Sequence, residues 1–220
     1  MPESLVLYIG EKNISSWSMR AALALVVKGL PFEERTISLR TDTDRARRRE
    51  ISPTGRVPVL HHDGLVVPDS LAIIEYLDET FPPPKHPTLW PSGRAERAHA
   101  RWLAAAMHSG FMKLREGMSF NLCFLPKPPD PPAEALAEAA EMLSLWEEAL
   151  RKKKSTGPFL FGAFGATDIM YAPAVVRLTA FKVPSASVPK AAAYMEAVLT
   201  HAAVKRWLDP ARALPPLASY

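Results

Sequence analysis

Pro58, in the run Pro53-Thr54-Gly55-Arg56-Val57-Pro58-Val59-Leu60, does most to narrow what this chain can fold into. Proline has no N–H to give a ladder, so it belongs at the start of a strand or on a sheet edge. At Val57-Pro58 a cis peptide costs only about 0.5–1 kcal/mol over trans. A cis bond there would turn the Val57 N–H and C=O outward and leave a short edge for an extended ligand to pair with. Asp63-Gly64 has the composition of a two-residue hairpin turn between Val57–His62 and Leu65–Val67. Asp69-Ser70 then opens the helical pattern Leu71-Ala72-Ile73-Ile74-Glu75-Tyr76-Leu77. A helix N-terminus with a serine and free amides suits a carboxylate. The plain reading is a hairpin and a capped helix, because Asp and Ser are common caps. The functional reading is a seat for a small peptide, and the residues upstream bear on the choice.

Composition excludes several classes. At 220 residues the chain has room for one large or two modest domains. With 48% hydrophobic and 23% charged residues it is ordinary globular protein, neither disordered nor fibrous. No apolar run approaches the ~18–20 residues of a membrane span and no signal-peptide pattern opens the chain, so no membrane partner is expected. A single cysteine, Cys123, rules out an internal disulfide framework and fits a reducing, cytoplasmic location. The net charge of +4 is too mild to point to nucleic acid.

Taken in order, Leu5-Val6-Leu7-Tyr8-Ile9 reads as a strand buried on both faces. After Gly10–Asn13, apolar residues at 19, 22, 23, 26 and 27 form a helical stripe, with serines ahead of it and Gly29 closing it. Phe32–Leu39 reads as a second strand and Arg45–Ile51 as a short basic helix or turn. The hairpin and helix described above complete the order β-α-β-α-β-β-α.

That order, the opening Ser15-Ser16-Trp17-Ser18-Met19-Arg20, the Val57-Pro58 bond and Asp69-Ser70 together resemble the glutathione transferases along the whole chain. The opening is similar to the zeta-like serine motif of bacterial-type members. The resemblance implies an α/β plus all-α protein, with a thioredoxin-like βαβαββα domain over 1–82 and an all-helical bundle over 93–220. It also implies glutathione as co-substrate, a homodimer and a role in detoxification. Val57 and Pro58, with Arg56 beside them, would meet the cysteinyl part of glutathione, while Asp69 and Ser70 hold its γ-glutamyl end. Asp69 is one methylene shorter than the usual Glu or Gln. Arg40 or a neighbour among Arg45, Arg47, Arg48 and Arg49 would meet the glycyl carboxylate; the plain reading of that run is a solvated helix face.

The chemistry so implied needs a thiolate, and a serine at a helix N-terminus stabilises one by donating a hydrogen bond in concert with the helix dipole. Ser15 and Ser16 are both placed for this; the zeta comparison favours Ser15, with Ser16 beside it. Both also read as plain N-caps. Trp17 stands where zeta enzymes carry cysteine, which weighs against a maleylacetoacetate isomerase and offers an apolar wall for a second substrate. Arg20 reads as a structural ion pair. His61 and His62 are adjacent on a strand and point to opposite faces, so no metal site is expected.

Beyond the proline-rich linker Pro82–Pro91, helical stripes run over 94–120, 133–154, 165–181 and 190–208, an all-α pattern. Asp168 sits three residues after Gly165 and reads as half a capping box, a folding residue. Pro173 should bend its helix. Candidates for the second-substrate wall are His99, Trp102, Met107 and Phe111, with Trp17 opposite, suited to a small hydrophobic electrophile. Glutathione transferase is the preferred function. A glutathione-dependent isomerase and a non-catalytic glutathione-binding or assembly protein are the alternatives.

Overall fold

The computed structural model describes residues 4–39, 42–122 and 128–215; Arg40 and Cys123, named above, lie outside the described residues. Strand β1 (Val6–Ile9) lies between β2 (Glu33–Thr36), parallel to it, and β3 (Val59–His62), antiparallel; β4 (Leu65–Pro68) completes the order β2-β1-β3-β4. Asp63 and Gly64 join β3 to β4 with φ of 47° and 81°, the two positive values that a tight hairpin with right-handed twist requires. The Val57–Pro58 peptide is cis and immediately precedes β3. Helices α1 (Ser16–Val27) and α3 (Ser70–Thr80) pack on the sheet and on each other, and α2 (Asp42–Ile51) connects β2 to the Pro53–Pro58 segment.

Two expectations about these elements are corrected. β1 is buried on one face only: Leu7 and Ile9 are fully covered, whereas Val6 and Tyr8 are half-buried. Tyr8 meets the His61 ring at 4.8 Å and its hydroxyl accepts from Arg35 Nη1, a polar layer that needs no further cover. The second strand is shorter than Phe32–Leu39, because only 33–36 pair with β1.

The proline-rich connection is fastened down. Lys28, fully buried at the end of α1, donates from Nζ to Asp78 Oδ1 at 3.1 Å and to the Pro87 carbonyl at 2.8 Å. Asp78 Oδ1 also accepts from Leu89 N, and Trp90 Nε1 donates to Glu75 Oε2. A buried ammonium is tolerated only with such partners.

The helical half comprises α4 (Arg94–Ser109), α5 (Met112–Gly117), α6 (Ala133–Lys152), α7 (Ala166–Ala180), α8 (Pro189–Thr200) and α9 (Ala202–Arg212). Residues 94–120 do not form one helix. Gly110 caps α4, and Phe111 takes the left-handed conformation (φ 57°), which turns its side chain into the core. The stripe over 190–208 breaks at His201, whose extended backbone and Nδ1, accepting from Ala203 N, start α9. α7 is the centre: Ala166 to Leu178 are all buried, and it contacts α1, α4 and α8. Pro173 forfeits one bond in it, yet the helix runs on to Ala180.

Asp168 explains how α7 starts in the dry interior. Its Oδ2 accepts from Gly165 N at 2.9 Å and its Oδ1 from Leu160 N at 3.1 Å, so one carboxylate ties the loop to the helix. Burial pushes its pKa up to about 6, against the lowering effect of those two amides. Asp168→Ala leaves two buried N–H groups unpaired and should cost roughly 2–5 kcal/mol in denaturant unfolding. Between about pH 4 and 6 the native chain keeps a proton that the unfolded chain has released, so this carboxyl's contribution to stability declines as pH rises through that window. The decline should be absent in Asp168→Asn.

Candidate functional site

Three chain segments and one helix end converge beside the first turn of α1. The loop before α1 brings Ile14, Ser15, Ser16 and Trp17 against Leu39, Arg45, Arg48, Arg49 and 54–57 around a cleft of about 490 Å³. A second cleft, of about 460 Å³, runs on from it between Trp17, Thr54, Arg56, Val57, Pro58, Asp69, Ser70 and His108. Trp17, Thr54, Arg56 and Val57 line both, so the two form one groove leading from the paired serines to the N-terminus of α3.

The sequence-derived residues fall into place unevenly. Ser15 and Ser16 are both buried and both face the groove. Asp69 is the N-cap of α3, with Oδ1 accepting from Leu71 N at 2.8 Å and Ala72 N at 3.2 Å. Those two amides are therefore taken, and the anchoring groups left at this end are Asp69 Oδ2 and the Ser70 hydroxyl. Ser70 is fully buried and its Oγ has no partner among the described residues. Arg48 is a buried clamp, donating to Ser38 O at 2.5 Å and Gly55 O at 3.3 Å, whereas Arg45 and Arg49 keep their exposure at the cleft.

The proposed second-substrate wall is not assembled as expected. Of its members Trp17 alone lines the groove. Met107 is fully buried in the core and Phe111 nearly so. His99 and Trp102 stack on each other at 5.5 Å, with Phe161 against His99, on a different side of α4. A helix turns 100° per residue, so the α4 side facing α3 is set by 101 and 108. Arg101 pairs with Glu75 at 3.3 Å, and His108 Nε2 approaches Asp69 Oδ2 at 3.4 Å. That seven-residue repeat of basic groups opposite two α3 carboxylates was a signal in the sequence that apolar spacing concealed.

Arginines stand behind the groove. Arg20 donates through Nε to the Met170 carbonyl at 3.0 Å, not to a carboxylate as an ion pair would require, and its Nη1 is buried without a partner among the described residues. Its guanidinium lies 4.5 Å from the centroid of the Trp17 ring, and that of Arg115 lies 4.9 Å from it. Arg115 Nη2 also donates to the carbonyls of Met107 and His108, where a cation suits the C-terminus of α4. Arg177, in α7, donates through Nε to Met118 O at 2.9 Å and through Nη2 to Ser16 Oγ at 3.3 Å. An arginine within the apolar run Ile169–Leu178 was the legible sign of this group.

Crowding these cations in a dry region shifts their equilibria. Burial, then Arg115 and Arg177, pull Arg20 well below the usual guanidinium range. Burial and Arg115 bring Arg177 down to about 9. Burial lowers His108, Asp69 opposes it, and Arg20 and Arg115 add to the lowering. The result is a groove with a positive interior and one carboxylate, Asp69, at its far end. Such a place favours an anion near the serines and an ammonium near Asp69.

Two family models match the chain: the glutathione S-transferase N-terminal domain over residues 14–80 and the glutathione S-transferase C-terminal domain over 103–209. Maleylacetoacetate isomerase of Rattus norvegicus is 31% identical over 190 residues, covering 84% of this chain and 82% of that protein. A probable maleylacetoacetate isomerase of Caenorhabditis elegans is 39% identical over 109 residues, about half of each chain (50% and 49%). Among solved structures, a glutathione transferase homologue from Burkholderia with bound glutathione superposes with a TM-score of 0.71. It is 31% identical, covering 96% of this chain and 99% of that one.

The electrostatic picture is testable on His108 alone. Proton NMR should place its imidazole below the ordinary histidine value. Asp69→Asn should lower it further and Arg115→Met should raise it. Opposite signs would mean that the charges around His108 are arranged otherwise.

Proposed function

Because the chain belongs to the glutathione S-transferase family, we propose that it binds glutathione along the groove and activates its thiol for attack on an electrophile. The observation that carries this reading is the course of the groove, which runs from the α1 serines past Val57 to Asp69 and Ser70. An extended tripeptide laid along it puts its thiol at the head of α1. The Val57 backbone then meets the cysteinyl residue. Asp69 Oδ2 receives the γ-glutamyl ammonium and Ser70 Oγ donates to the adjacent carboxylate. Arg45 and Arg49, with Arg56 between the clefts, supply charge for the glycyl end.

A free thiol titrates near ~8.5, and lowering that by about two units requires roughly 2.7 kcal/mol of preferential stabilisation of the anion. The α1 N-terminus, a serine hydroxyl and the buried arginines all act in that direction. The thiolate forms a C–S bond with the electrophile, and a leaving group departs with its electron pair or the adduct takes up a proton. The Trp17 ring, edge-on to His108 at 5.3 Å, offers the electrophile a flat apolar wall. Restraining both reactants in one groove contributes to the rate by itself.

Isomerisation is a second reading, favoured by the likeness to the rat maleylacetoacetate isomerase over most of the chain. The thiolate then adds, a bond rotates, and the thiolate leaves again, so glutathione is not consumed. A zeta-like character of the serine opening belongs with this reading, while Trp17 in place of cysteine sets the site apart from it. A non-catalytic binder has less in its favour, since it needs neither the paired serines nor the cations behind them. We place the protein in the cytoplasm as a detoxifying homodimer. Leu65 and Val66 on β4 and Trp102 on α4, large exposed apolar side chains, support a second copy as partner. Among the described residues no helix is long and apolar enough to cross a membrane.

Ultraviolet difference absorbance of the protein with glutathione should show a thiolate band near neutral pH, with conjugation of an aromatic electrophile following. Glutathione-dependent loss of maleylacetoacetate without loss of glutathione would favour the isomerase instead, and binding without a thiolate signal would leave only the binder. Asp69→Ala and Ser70→Ala should each weaken glutathione binding roughly 10–100-fold by calorimetry, the cost of a lost charged or buried hydrogen bond. Unchanged affinity removes them from the site.

A further inference from the structure

His108 stands at the α3 end of the groove, and its two ring nitrogens are in unlike surroundings. Nε2 approaches Asp69 Oδ2 at 3.4 Å, while Asp69 Oδ1 is already held by the amides of Leu71 and Ala72. Nδ1 is buried and has no partner among the described residues. The Trp17 ring packs edge-on to the imidazole at 5.3 Å, and His108 lines the cleft together with Asp69 and Ser70. A carboxylate beside Nε2 calls for a proton there, so the neutral imidazole carries its hydrogen on Nε2 and leaves Nδ1 bare. The imidazolium needs a second N–H, on Nδ1, in a place that offers it no acceptor among the described residues.

Resting on the glutathione reading above, we propose that His108 is a positioning residue that sets the preference for a γ-glutamyl ammonium by holding Asp69 Oδ2 toward it. A carboxylate oxygen has lone pairs for two donors, so the imidazole N–H and an ammonium can share Oδ2. With Oδ1 tied to the α3 amides and Oδ2 steadied by His108, the carboxylate keeps one orientation, and less ordering is left for the ligand to impose. The sharing holds only while the ring is uncharged, because an imidazolium would set a second cation against the ammonium on the same oxygen. Groups from several elements act on that charge. Burial lowers the His108 pKa, Asp69 at the head of α3 opposes it, and Arg20 of α1 and Arg115 of α5 add to the lowering. Arg56 lines the same cleft from the segment before β3. Arg115 also donates to the His108 carbonyl, which fixes it to this turn of α4. The arginines behind Trp17 thus have an effect at the end of the groove away from the serines: they keep His108 from competing as a cation for Asp69.

The test is calorimetric affinity between about pH 5 and pH 7.5 for two ligands: glutathione, and glutaryl-cysteinyl-glycine, which lacks only the γ-glutamyl amino group. In the native protein, glutathione binding should weaken as pH falls through the lowered His108 value, while binding of the analogue changes little. His108→Ala should weaken glutathione roughly 3–10-fold at neutral pH and leave the analogue nearly unchanged. His108→Gln keeps an N–H near the Nε2 position without a titration, so it should retain most of the affinity and lose the pH dependence. His108→Lys, a permanent cation, should weaken glutathione about 10-fold or more, with the analogue again spared. Equal losses for both ligands overturn the assignment, since they mark a merely structural part of the cleft. Native affinity with the native pH profile in His108→Ala overturns it too. A native protein that binds neither ligand sinks the glutathione reading itself, whereas glutathione bound with no preference over the analogue sinks only the role given to His108.

Discussion

The site depends on α1 being enclosed on every side while its first turn stays open to a groove. Ser16 and all of Ser18 to Leu25 are buried, between the sheet and α3 on one flank and α7 and α9 on the other. Trp17 alone in that stretch keeps partial exposure. A helix held this way cannot rotate without opening core contacts on all faces, so the orientation of its N-terminus is set by packing and not by the loop ahead of it. Arg20 adds a directional tie, its guanidinium hydrogen-bonded to the Met170 carbonyl of α7. The orientation of Ser15, Ser16 and Trp17 is thereby fixed by the junction between the α/β unit and the helical half.

The same junction sets the electrostatics. Arg20, Arg115 and Arg177 come from α1, α5 and α7, and each anchors on a backbone carbonyl. A carbonyl engages part of each guanidinium without cancelling its charge, so a net positive field survives behind the groove. Buried charge without a counter-ion is costly in a structural role. It is useful where an anion has to be stabilised, the role proposed above for the groove at the α1 serines. Asp69 lies at the opposite end, partly engaged by His108, so the groove is polarised along its length in the sense that a zwitterionic γ-glutamyl peptide requires.

What could be read in advance follows from the range of the interactions involved. The Asp63-Gly64 turn, the α3 cap at Asp69 and the proline at the head of β3 are decided within a few residues of themselves. Burial of α1 was underestimated because its amphipathic stripe describes one buried face, and the helical half covers the other. The break at Gly110–Phe111 was missed because helical spacing continues through it. His99, Trp102, Met107 and Phe111 were chosen for residue type, but their positions around α4 turn them to the core or to another side. His108 emerges only when the face of α4 toward α3 is identified.

By itself the sequence determined the order of elements, the hairpin, the caps of α1 and α3, and the pairing of a serine-rich helix start with an Asp-Ser helix start. These rest on backbone chemistry that acts locally, so a handful of adjacent residues is enough to specify them. Tertiary structure alone decided what each of the α1 hydroxyls contacts, because Arg177 reaches Ser16 across 161 positions of chain. It alone gathered cations from three helices behind Trp17. Contacts between residues so far apart in sequence exist only once the two halves have packed, and their chemistry is a property of that packing.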